Sequence, residues 1–312
     1  MDTILQVNNL YKSLSKREII KGISFQVNKG EVFGFLGPNG AGKTTTIRMI
    51  VGLIKPDKGE VLINGYDVRK DFIKAMRNLG CIVENPEMYI DLTGRENLKI
   101  FARMYGNVSK ERIDEVIELI GLKDRIDDKV RKYSLGMRQR LGLGQALLPK
   151  PNLLILDEPT NGLDPVGIVE FRKIIKDLVR DNNAAVFISS HILSEIEQLC
   201  DRVAFISNGE IKSIENTREL NKKCKFEKIS LITADNIKCK EILRDTYYIH
   251  SINDVEGKLI LECDEDSFSK IINLLARKNI DIGEINKVQQ NLEDRFMEIV
   301  EGGSEFAESS KK

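Results

Sequence analysis

The chain has no tryptophan and only two histidines, His191 and His250, which excludes a histidine-rich metal centre. Its five cysteines, Cys81, Cys200, Cys224, Cys239 and Cys263, are odd in number, scattered and free of any Cys-x-x-Cys. That pattern argues against a disulfide frame or a zinc site and predicts reduced thiols in a cytosolic protein. No apolar run approaches the ~20 residues of a membrane span, and the opening Met1-Asp2-Thr3 does not read as a signal peptide. A soluble, cytoplasmic chain is expected. Charge of one sign is lacking too: Lys+Arg and Asp+Glu both count 48. No global field draws the protein to nucleic acid or anionic lipid, and no nucleic-acid partner is expected.

A length of 312 residues suggests two domains, at least one of them with a sizeable core. Apolar strand-like runs at 31–36, 79–83, 153–157, 184–189 and 202–207 alternate with helical patterns. Among the helical signals is Thr93-Gly94-Arg95-Glu96, a capping box ahead of Leu98 and Phe101. This alternation predicts an α/β domain with a largely parallel sheet. Runs at 4–7, 22–28 and 60–63, with turns at Lys29-Gly30 and Asn64-Gly65, predict antiparallel β decoration. After the Asn208-Gly209 turn and a strand at 210–214, the tract 221–225 is polar and basic and reads as a linker. Residues 226–300 give strand, helix, strand, a turn at Glu256-Gly257, strand, helix and strand. In the second of these helices Phe268, Ile271, Ile272 and Leu275 are assigned to one face, so a small α+β domain with its own core is expected. The predicted domains are 1–219 and 226–300, followed by a polar, disordered tail at 301–312.

The most informative segment is Gly37-Pro38-Asn39-Gly40-Ala41-Gly42-Lys43-Thr44, between the apolar run Val32-Phe33-Gly34-Phe35-Leu36 and a helical pattern starting Thr44-Thr45-Thr46. A buried strand feeding a glycine-rich turn and a helix N-terminus lets backbone N–H groups converge on an anion. In such a loop Lys43 reaches the β- and γ-phosphates of a nucleotide, Thr45 adds a contact on the first turn, and the Thr44 hydroxyl ligates Mg²⁺. The apolar strand Leu153-Leu154-Ile155-Leu156 ends in Asp157 and Glu158, where a doubly wound sheet presents its ligands. Asp157 is assigned to the Mg²⁺ shell, and Glu158 to general-base activation of the attacking water.

Between these motifs lies Tyr133-Ser134-Leu135-Gly136-Met137-Arg138-Gln139-Arg140, which resembles the Leu-Ser-Gly-Gly-Gln signature of ATP-binding-cassette transporter ATPases. The serine and the second glycine are kept, and Leu135 stands at the first glycine. Asn161-Gly162-Leu163-Asp164 is similar to the family's D-loop, and Ser189-Ser190-His191 to its switch histidine. The resemblance implies a P-loop cassette of mostly parallel sheet with an antiparallel β part and a helical signature subdomain. It also implies a homodimer sandwiching two ATP molecules, each held by one subunit's phosphate loop and by Ser134 and Gly136 of the other. Asp164 would lie beside that nucleotide, and His191 would bond the γ-phosphate.

The sequence departs from the family at two places. At the aromatic position that stacks on adenine, an ungapped alignment places Leu14, with Tyr11 three residues earlier. The strand before Asn85-Pro86 ends on Glu84 where glutamine is usual; its carboxylate is assigned as a Mg²⁺ ligand and adds a negative charge near the γ-phosphate. Glu84, the Tyr-Ser-Leu-Gly-Met run and Leu292-Glu293-Asp294-Arg295-Phe296-Met297-Glu298 resemble the bacitracin-transport and lantibiotic-immunity branch. The implied function is the ATPase subunit of an exporter of antimicrobial peptide or drug. It would work with a separate membrane permease and attach peripherally to the inner face of the cell membrane. The alternative is a soluble cassette ATPase acting on ribosomes, DNA or cluster assembly.

Overall fold

The computed structural model describes residues 2–217 and 227–288, apart from 85, 107, 245, 256 and 265. The linker expected at 221–225, the tail from 301 and the run 292–298 lie outside the described residues. The chain divides into two compact units, Met1–Thr217 and Arg218–Lys312.

In the first unit a six-stranded sheet runs in the order β10-β9-β3-β8-β7-β6. Its strands are β3 Val32–Leu36, β6 Leu79–Ile82, β7 Leu153–Asp157, β8 Ala185–Ser190, β9 Arg202–Ser207 and β10 Glu210–Asn216. All pairs are parallel except β9 with β10. β3 and β7 are buried at every residue, which is why they read as unbroken apolar runs rather than as an alternation. A second, antiparallel sheet runs β2-β1-β4-β5, from β1 Thr3–Leu14, β2 Arg17–Asn28, β4 Lys58–Ile63 and β5 Tyr66–Asp67.

The core contains side chains of both sheets: Leu5, Val7, Leu10 and Phe25 cluster with Phe33, Phe35, Ile155 and Phe187. Phe25 stacks at 5.5 Å on Phe33 and again at 5.5 Å on Phe187. β1 runs well past the predicted 4–7. The register slips between Val7 and Leu10, and Asn9 takes a left-handed φ of 50°. That bulge breaks the period-two alternation, although Leu10 returns to the core. Only glycine fits opposite it, because a Cβ on Gly59 (φ +86°) would lie 2.2 Å from the Asn9 carbonyl oxygen.

The helices are α1 Lys43–Ile50, α2 Phe72–Met76, α3 Gly94–Tyr105, α4 Lys110–Leu119, α5 Leu135–Leu147, α6 Pro165–Asn182 and α7 Leu193–Leu199. The predicted capping box is formed: Thr93 accepts from the Glu96 N–H, and the Glu96 carboxylate accepts from the Thr93 N–H. No helix among the described residues is long and apolar enough to cross a membrane. The described cysteines are free thiols.

The second unit carries β11 Glu227–Thr233, α8 Asn236–Arg244, β12 Ile249–Val255, β13 Lys258–Cys263, α9 Ser267–Arg277 and β14 Ile282–Val288. The element order matches the expectation, and the antiparallel sheet runs β12-β13-β11-β14, a split β-α-β arrangement. Ile229, Leu231, Leu259, Leu261, Cys239, Leu243, Ile271 and Leu275 form its core. The expected helix face needs one correction. Phe268, Ile271, Leu274 and Leu275 belong to this core, whereas Ile272 is half-buried and outside the cluster.

Candidate nucleotide site

The phosphate loop leaves the central strand β3 and enters α1 without a side-chain cap. Gly42 occupies the N-cap position at φ 110°, a conformation open to glycine, and among the described residues no side-chain cap bonds the start of the helix. Its first N–H groups can therefore receive an anion. A Cβ on Gly37 would lie 2.3 Å from the Ile206 carbonyl oxygen, so the loop is pressed against the next strand. The carbonyls of Gly37 and Pro38 accept from Lys43 Nζ at 2.8 and 3.2 Å. Asn39 and Gly40 form the exposed tip, Ala41 is buried behind it, and Thr44 and Thr45 sit half-buried on the first turn of α1.

Lys43 also faces the end of β7. Its Nζ lies 3.1 Å from Glu158 Oε1, with the lysine side chain 4% exposed. Glu158 has a left-handed backbone (φ 45°), and its N–H donates to the Ser189 hydroxyl at 3.0 Å. That hydroxyl donates in turn to Asp157 Oδ1 at 2.6 Å, so one serine of β8 ties the last acid of β7 to the one that follows it. His191 Nδ1 stands 2.9 Å from Glu158 Oε2, and the Asn161 amide donates to the same oxygen. Burial pushes the Glu158 carboxyl up. The hydrogen bonds from Asn161 and Lys43 and the charges of Lys43 and His191 outweigh it and hold the group below the usual carboxylate range.

A cleft of about 650 Å³ joins these parts, lined by Thr44, Glu84, Asp157, Glu158, Leu135, Arg138 and Asn161 among others. Mg²⁺ is commonly held by one or two carboxylates together with phosphate oxygens and water, and Thr44 with Asp157 is a donor set of that kind. Glu84 borders the cleft with φ 66°, but its side chain is 61% exposed and its carboxylate is ion-paired to Arg48. Ser134 caps α5 by accepting from the Met137 N–H at 3.2 Å, with Gly136 half-buried beside it. Asp164 caps α6 by accepting from the Gly167 N–H at 2.9 Å. Leu135 meets the D-loop of its own chain: a Cβ on Gly162 would lie 2.8 Å from Leu135 Cδ2. Of the two residues weighed for adenine, Leu14 is exposed, while Tyr11 lies over Gly22, where a Cβ would come within 2.5 Å of its hydroxyl.

Sequence reasoning passed over Arg48, Asn161 and Ser189 as partners of these groups. Arg48 carried a usable signal, since it lies one helical turn beyond Thr44 on the same face of α1.

The family model described as ABC transporter matches residues 20–161. An ABC transporter ATP-binding protein of Bacillus subtilis (strain 168) is 49% identical over 299 residues, covering 96% of each chain. A bacitracin transport ATP-binding protein of Bacillus licheniformis is 41% identical over 97% of this chain and 99% of its own. Among solved structures, the ATP-binding subunit of an ABC transporter superposes with a TM-score of 0.63 at 30% identity, covering 70% of this chain and 92% of that one. The fold, the phosphate loop with its facing acids and these likenesses agree, and the chain belongs to the ABC transporter family as one of its ATP-binding, ATP-hydrolysing subunits.

Proposed function

We propose that this ATPase powers a separate membrane permease that exports an antimicrobial peptide or a related amphipathic drug of the bacitracin or lantibiotic kind. The observation that carries the catalytic part is the buried Lys43 ammonium facing Glu158, with His191 on the other carboxylate oxygen. Lys43, Thr44, the loop N–H groups and Thr45 bind the triphosphate, Asp157 and Thr44 hold Mg²⁺, and Glu158 takes the proton of the attacking water. His191 orients the γ-phosphate. Ser134, Gly136 and Asp164 act across a homodimer, reaching the nucleotide of the opposite subunit. Mg²⁺ held by Asp157 and Thr44 would neutralise phosphate charge. Export of antimicrobial peptide rests on the likeness to the bacitracin transport protein. The subunit works at the inner face of the cell membrane, held there by its permease. A tagged chain purified from solubilised membranes is expected to carry a polytopic membrane protein with it. Recovery only as a free protein, with ribosomes or with DNA would overturn this reading.

The 226–300 segment is proposed to be an autonomous accessory domain, because its core is closed within its own sheet and two helices. A chain ending at Glu219 should then bind ATP as tightly as the full-length protein in a fluorescent-nucleotide titration. Loss of solubility or of binding would make the segment part of the cassette core.

Glu84 is proposed to sense the γ-phosphate and Mg²⁺. A carboxylate about 4 Å from a phosphate charge is repelled by roughly 4 kcal/mol at an effective dielectric of ~20. Arg48 offsets part of this, though an exposed pair is worth only about 0–1 kcal/mol. Glu84→Gln should therefore tighten binding of Mg²⁺-free ATP more than that of Mg²⁺-ATP. Titrations with and without EDTA check this, and equal affinities in both proteins would reduce Glu84 to a surface acid.

A further inference from the structure

Glu195, in the first turn of α7, belongs to none of the motifs above, yet its side chain is buried, with the residue 8% exposed. Its Oε2 accepts a hydrogen bond from the Thr160 hydroxyl, and the Ser190 hydroxyl lies 3.4 Å from the same oxygen. Oε1 is buried and has no hydrogen-bond partner among the described residues. A buried carboxylate satisfied on one oxygen is disfavoured relative to an apolar side chain of the same size, so packing does not explain it.

The two hydroxyls belong to the segments that deliver the reacting groups. Thr160 lies two residues beyond Glu158 and adjoins Asn161, whose amide holds the Glu158 carboxylate. Ser190 immediately precedes His191, and its carbonyl accepts from the Gly37 N–H of the phosphate loop at 3.3 Å. Glu195 thus joins the chain leaving β7 to the chain leaving β8, and through Ser190 to the loop that grips phosphate. Because Glu158 sits on a left-handed residue outside any strand or helix, its direction depends on such lateral ties.

We propose that Glu195 is a positioning residue for ATP hydrolysis, holding Glu158 and His191 in register through Thr160 and Ser190. The proposal rests on the assignment of Glu158 as the base. Glu195→Gln keeps a carbonyl oxygen in the place of Oε2, where it can accept from both Thr160 and Ser190, so kcat stays near that of the wild type. Glu195→Met fills the same space without either bond and should lower kcat about 10- to 100-fold while leaving KM for ATP unchanged. Thr160→Val should reproduce that loss, and the double variant should lose no more than either single one. A purely structural role predicts otherwise: kcat and KM change together with the folded fraction, the losses add, or glutamine fails to rescue. Any of these, or wild-type kcat in Glu195→Met, overturns the proposal. Glu158→Gln assayed alongside separates the two readings. If it hydrolyses ATP normally, the base assignment falls and takes this proposal with it. If it is silent while Glu195→Met is normal, only the positioning role falls.

Discussion

Lys43→Ala is expected to weaken ATP binding about 1,000-fold, enough to remove it at ordinary nucleotide concentrations. The lysine side chain is 4% exposed, and its ammonium is directed by the carbonyls of Gly37 and Pro38 towards Glu158, the edge of the cleft where phosphate charge has to sit. A unit charge about 4 Å from a phosphate oxygen contributes roughly 4 kcal/mol at an effective dielectric of ~20, which is about three decades of dissociation constant. The variant suffers a second penalty. Without the cation, Glu158 keeps its charge at the mouth of the loop and repels the triphosphate. Double substitution with Glu158→Gln should therefore recover part of the lost affinity, by removing the repulsion and not by restoring the grip. Isothermal titration of the single and double variants measures both effects. A single variant that binds within tenfold of the wild type would mean that the N–H cradle alone supplies the affinity.

How much of this could be read from the residues depends on whether the structure keeps neighbours in sequence together. β7 and β9 were legible to the residue, because a buried parallel strand is a contiguous apolar run bounded by polar turns. β1 was legible only in its first third, since a bulge at Asn9 hides the return of Leu10 to the core. In the site, the phosphate loop and the Asp157-Glu158 pair are local motifs, and their spacing carries the chemistry. The pairings that complete the site are not local. Glu158 and His191 are 33 positions apart, Arg48 and Glu84 are 36 apart, and Thr160 and Glu195 are 35 apart. Each depends on the sheet order, and two depend on left-handed backbone at Glu84 and Glu158, which no residue preference announces. Glu195 in particular reads as an ordinary helix acid until β7 and β8 are placed side by side.

Glu158→Gln should bind ATP at least as tightly as the wild type and hydrolyse it about 100- to 10,000-fold more slowly. Glutamine matches the glutamate in size, so Asn161, Lys43 and His191 still enclose the side chain, but it cannot accept the proton of an attacking water. In the structure the carboxyl is held below its ordinary range, ionised at neutral pH and in contact with Lys43. Phosphate entering the loop competes for that ammonium. On the proposed assignment of Glu158 as the base, it would then lose a stabilising cation and its proton affinity would rise towards that of a useful base. The variant should accordingly trap bound ATP and raise the dimer fraction on size-exclusion chromatography with Mg²⁺-ATP. His191→Ala, which removes one neighbour of the carboxylate and leaves the base in place, should lower turnover less and leave binding nearly unchanged. Phosphate release under single-turnover conditions, compared with nucleotide retention on filters, separates binding from chemistry. Hydrolysis in Glu158→Gln within a few-fold of the wild type would transfer the proton-accepting role to another group in the cleft, with Asp157 the first to test.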